Sequence, residues 1–183
     1  MPPAEVLHLL PLIVLAAGAV VAMLGIAAYR SHVATFVITV GTLTLAVAAL
    51  RFTPFSADGY ATLLLRFDGY AVFFLGLFLL TALTIAVMAY GYLRGRAVVA
   101  EELYILLLTA TLGGAVLVSS AHFASFFLGL ELLSVSLYAL VAYHRRQPTD
   151  IEAGLKYLIP AAASSSFLLF GMALVYAHAG TME

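Results

Sequence analysis

The chain contains no cysteine and very little charge. Without thiols it can form no disulfide, ligate no iron–sulfur cluster through cysteine and attach no haem through cysteine. Only 9% of its residues are charged and the formal net charge is −1, so no polybasic surface is available for nucleic acid or for anionic headgroups. Linkers and low-complexity tracts are also missing. The opening Met1-Pro2-Pro3-Ala4-Glu5 is acidic where a secretory signal would be basic. No small-residue cleavage site ends the first apolar run, which therefore reads as a retained helix.

What fills the 183 residues is hydrocarbon: 64% are hydrophobic and the mean hydropathy is +1.12. A soluble domain has roughly 45–50% apolar and about 25% charged residues. A chain so poor in polar groups cannot cover itself in water, and a bilayer is the solvent that suits it. Six apolar runs stand out, at about 7–29, 33–50, 69–93, 103–120, 122–143 and 153–176. Each is close to the ~20 residues that cross ~30 Å of hydrocarbon as a helix. Helices follow because every backbone N–H and C=O in lipid needs a partner within the segment. A membrane barrel would show short alternating segments, and these runs are continuously apolar. The expected fold class is all-α: a polytopic membrane helix bundle of about six transmembrane helices, forming a single domain over 1–183.

Basic residues set the expected orientation. The odd-numbered loops hold Arg30, then Arg94 and Arg96, then Arg145 and Arg146, while the even loops hold only Arg51 and Arg66. The positive-inside rule then places the odd loops in the cytoplasm and both chain ends outside.

The informative residues are those that cost free energy where they stand. Glu131 sits about nine residues into the fifth run, near mid-membrane. A charge there costs roughly 2.5–3.5 kcal/mol on the lenient insertion scale. Such a position calls for a partner, a proton to carry, or a hydrogen bond between helices. Lys156 lies at the start of the sixth run, where lysine can snorkel to headgroups or pair with Glu152 one turn earlier. Ser134, Ser136 and Tyr138 extend polarity beyond Glu131, with Ser134 and Tyr138 three and seven residues on and so on one face. Pro160 and Ser164-Ser165-Ser166 suggest a bent sixth helix with a polar stripe, serving a hydrated path or close packing. His8, His32, His122, His144 and His178 all fall near run ends, which suits interfacial histidine and argues against a haem inside the bundle. Gly91 and Gly95 match small-xxx-small spacing, but at a helix end. No metal-ligand spacing, phosphate-cradling glycine loop or nucleophile triad is visible.

Two stretches carry a resemblance. Phe127-Leu128-Gly129-Leu130-Glu131-Leu132-Leu133-Ser134, with Leu137 to Tyr143 after it, resembles the antiporter-like membrane subunits of bacterial proton-pumping NADH-quinone oxidoreductase, complex I. So do Glu152-Ala153-Gly154-Leu155-Lys156-Tyr157, Ser164-Ser165 and Phe170 to Tyr176, and Phe67-Asp68-Gly69 opens the third run in the same manner. The Leu-Glu-Leu-Leu-Ser wording is nearest to the subunit N branch; Mrp-type cation/proton antiporters and membrane-bound hydrogenases are wider kin.

The resemblance implies a proton-translocating membrane-arm subunit with Glu131 as relay or coupling carboxylate and Lys156 tuning its charge. Ser134, Tyr138, Ser164 and Ser165 would form a polar path. The implied partners are the other membrane subunits of complex I and the lipid bilayer, not nucleic acid, in the bacterial inner (plasma) membrane. No cofactor is expected in this chain: NAD, FMN, iron–sulfur clusters and quinone would sit on other subunits. The family runs to about fourteen helices in two inverted repeats, with central lysines on later helices. On that expectation, six helices ending at Glu183 form the N-terminal part, as a fragment or a split gene product, without a complete proton path.

Overall fold

A computed structural model describes residues 3–52, 62–94, 100–143 and 148–182. The loop residues Pro54, Asp58, Gly59, Arg96, His144, Arg145 and Arg146, and the terminal Glu183, lie outside the described residues. Six helices follow in order: α1 (Pro3–Ala28), α2 (His32–Leu50), α3 (Gly69–Leu93), α4 (Glu101–Val118), α5 (Phe123–Val141) and α6 (Pro148–Ala179). All six contain a stretch long and apolar enough to cross a bilayer. The described residues include no strand, only an isolated bridge between Leu65 and Ser120.

Local chemistry explains the helix ends. Ser31 accepts from the Ala34 N–H at the start of α2, and Asp68 accepts from Ala71 N–H at 2.8 Å at the start of α3. These side chains satisfy donors that a helix leaves orphaned in its first turn. At α5 the cap is His122, whose Nδ1 accepts from Ala124 N–H at 3.1 Å. Helix α6 begins well ahead of its apolar run because Pro148 suits a first turn, where the missing N–H has no partner to lose. It then continues without interruption through Pro160. It ends where Gly180 takes φ +69°, a left-handed turn that favours glycine. That turn returns the chain so that the Met182 carbonyl accepts from Phe123 N–H at 2.9 Å.

Helix α4 is the hub. It packs against α1, α2, α3 and α5, whereas among the described helices α6 touches α5 alone. The core gathers Leu12, Leu15, Leu43, Leu75, Leu79 and Leu108 around the fully buried Tyr104. Several hydroxyls along the helices are satisfied within their own turns, as where Thr42 donates to Ile38 O and Thr111 to Leu107 O, while the buried Thr39 Oγ1 has no partner among the described residues. At the Asp68 end, Arg66 N–H donates to Ser119 O and Ala121 N–H to Leu64 O, tying the entry to α3 to the α4–α5 turn. At the other end, Arg30 and Glu102 pair at 3.0 Å and His32 meets the Tyr104 hydroxyl at 2.9 Å.

Candidate functional site

Glu131 stands midway along α5, half-buried, with Oε1 buried and without a hydrogen-bond partner among the described residues. Leaving such an atom unpaired costs about 1–3 kcal/mol, more if it is charged. The direction of the side chain follows from helical spacing. Glu131 lies seven and eleven residues before Tyr138 and Ala142, close to whole numbers of turns, so the three share a face. That face meets α6: the Tyr138 and Tyr157 ring centroids are 6.1 Å apart, and a Cβ on Gly154 would lie 2.6 Å from that of Ala142.

The two helices are antiparallel, so the register can be carried along them. Seven residues back from Tyr138 and seven on from Tyr157 bring Glu131 level with Ser164, and Ser165 is beside it. The α6 residues Ala161, Ser165, Leu168 and Met172 are the half-buried ones in this stretch and recur at helical spacing on the α5 side. Ser165 therefore faces α5 at the level of Glu131. Ser164 is exposed and donates to Pro160 O at 2.8 Å. The serine thus bonds the carbonyl of the proline itself, one turn earlier in its own helix.

Lys156 is placed differently. It is one residue before Tyr157, level with Ala139, eight residues and about 12 Å along the axis from Glu131. Its ammonium pairs with Glu152 on the exposed side of the first turns of α6. The local pair with Glu152 is present, and among the described residues Lys156 forms no ion pair with Glu131. The polar set beyond Glu131 also divides. Ser134 and Tyr138 stay on or beside the α6 face, whereas Ser136 is buried against α4, 2.9 Å from Thr109 Oγ1.

Sequence reasoning missed two features. His8 is packed between helices, 7% exposed and near Phe67, with Nδ1 lacking a partner among the described residues. His32, Tyr90 and Tyr104 form an aromatic cluster, with His32 4.9 Å from Tyr90 and hydrogen-bonded to Tyr104. A histidine and a tyrosine 72 positions apart give no sequence signal of their meeting.

Comparison with known proteins shows what the chain is similar to. Residues 120–183, which are the α5–α6 unit that carries Glu131, match the family described as NADH:quinone oxidoreductase/Mrp antiporter, transmembrane. The chain is also 49% identical, over 175 residues, to NADH-quinone oxidoreductase subunit N of Methylococcus capsulatus (strain Bath). The similarity covers 96% of this chain and 36% of that relative, so the chain spans about a third of the relative's length. A structure of respiratory complex I from Thermus thermophilus with bound aureothin matches with a TM-score of 0.76 and 34% identity, over 94% of this chain and 38% of that one. The membrane-bound sulfane sulfur reductase, an archaeal respiratory membrane complex, matches with a TM-score of 0.72 and 23% identity, over 98% and 38%. At that identity the second likeness concerns the fold alone. The all-α antiporter-like fold expected from sequence is the fold observed, and its six helices, each long and apolar enough to cross a bilayer, are those of an integral membrane protein.

Proposed function

We propose that the chain acts in the membrane arm of a proton-translocating NADH-quinone oxidoreductase, moving protons in response to quinone reduction carried out elsewhere. The observation that supports this most directly is the unpaired, buried Glu131 oxygen inside the span that matches the antiporter family. A carboxyl that no neighbour occupies can take up and release a proton without first breaking another bond. Ser134, Tyr138 and Ser165 lie on or beside the same helix–helix seam and would carry the proton onward; Ser164, turned outward, would join them through water. Lys156 acts in this reading as a charge offset by about 12 Å along the helix axis, tuning Glu131 through the low-dielectric interior and not by contact. NAD, FMN, iron–sulfur clusters and quinone belong to partner subunits. The membrane is the bacterial inner membrane, with Arg30 and Arg94 facing the cytoplasm.

The experiment is to recover the protein from its native membranes under conditions that preserve assemblies. Flavin and iron–sulfur subunits and NADH-driven quinone reduction are expected with it; their repeated absence would contradict the reading. The matching family also covers Mrp antiporters. Sodium-driven proton movement in proteoliposomes lacking NADH and quinone would assign the chain to that kind of transporter or to a related membrane-bound hydrogenase arm.

A further inference from the structure

Helices α4 and α5 meet at backbone contact. A Cβ added to Gly113 would lie 2.5 Å from Leu133 N, and one added to Gly129 would lie 2.7 Å from Leu117 N. Both obstacles are main chain, so a methyl group at either position forces the helices apart or makes one roll. Seven residues after Gly129, on the same face, the Ser136 hydroxyl is 2.9 Å from Thr109 Oγ1 and 2.7 Å from Leu132 O, its single hydrogen being shared between these two acceptors. Two attachments about two turns apart fix both the separation of the helices and the rotation of α5 about its axis.

Glu131 follows Gly129 by two residues, roughly 200° around the helix, and so points away from the clasp. Its Oε1 has no partner among the described residues, so nothing at that oxygen sets its direction. The outward sector is close by. Leu128 and Val135 are 66% and 50% exposed and lie only about 40–60° from Glu131 around the axis. A modest roll of α5 would carry the carboxyl out of the α6 seam into the surroundings of Leu128 and Val135.

We propose that the α4–α5 clasp, the Gly113/Gly129 crossing together with the Thr109–Ser136 hydroxyl pair, positions Glu131 by locking the rotation of α5. The consequence for transport rests on the proposed proton role of Glu131; the positional claim does not. Thr109, Gly113, Gly129 and Ser136 are positioning residues here.

The test is infrared difference spectroscopy on the chain in its native membranes, reading the carboxyl stretching band that disappears in Glu131→Gln. Gly129→Ala is expected to shift that band, and so is the double variant Ser136→Ala with Thr109→Val. Ser136→Thr, which keeps a hydroxyl, is expected to restore the native position. Gly41→Ala, where an added Cβ meets nothing within 4 Å, is expected to leave the band alone. If Gly129→Ala fails to accumulate in the membrane, the hydroxyl-pair variant decides the matter. An unshifted band in folded clasp variants overturns the proposal. Undiminished proton transport in Glu131→Gln would remove the proton role while leaving the band test decisive for positioning.

Discussion

Glu131 could be found from sequence because charge is rare in this chain and rarer inside an apolar run. Its surroundings could not. Whether a carboxyl at that depth meets a cation, a hydroxyl or nothing depends on helices whose spacing a linear string does not encode. Lys156 illustrates this, since the string allowed either snorkelling to headgroups or a local pair and the fold joins its ammonium to Glu152. Replacing Glu152 by Gln should change stability by no more than about 0.5 kcal/mol, because an exposed i,i+4 pair contributes only that much. Thermal unfolding in detergent measures it. Tyr104 is the opposite case, fully buried and bonded to His32. Tyr104→Phe should cost about 0.5–1.5 kcal/mol, the net worth of one hydrogen bond, with no change in helix content.

The helices themselves were legible, because hydrocarbon requires long, internally bonded segments and leaves a length signature. How they approach one another was not. Gly18 and Gly41 look alike in sequence, each a glycine within an apolar run. In the fold, a Cβ on Gly18 would collide with the Thr42 side chain, whereas one on Gly41 meets nothing within 4 Å. Gly18→Ala should therefore destabilise the α1–α2 pair by about 1–3 kcal/mol, the usual cost of overpacking, and Gly41→Ala should not. Side-by-side melting of the two variants checks the contrast. Ser136 teaches the same lesson. Grouped by sequence with Ser134 and Tyr138, it belongs instead to the α4 seam, because two residues of offset turn a side chain to the other side of a helix.

For the whole molecule, α4 at the hub and α6 at the edge place the Glu131 seam between a firmly packed helix and one that, among the described helices, touches α5 alone. The lack of cysteine makes the proposed orientation directly testable. A cysteine at Ser31 should react with an impermeant maleimide only from the cytoplasmic side, and one at Thr62 only from the outside; the reverse pattern would invert the topology. The central claim is that Glu131 handles protons. The most direct measurement is the number of protons moved per electron in the assembled oxidoreductase carrying Glu131→Gln, compared with the parent. If Glu131 is a relay, coupled transport should fall on the order of tenfold or more while NADH oxidation with an artificial acceptor is retained. An unchanged ratio of protons to electrons would contradict the account.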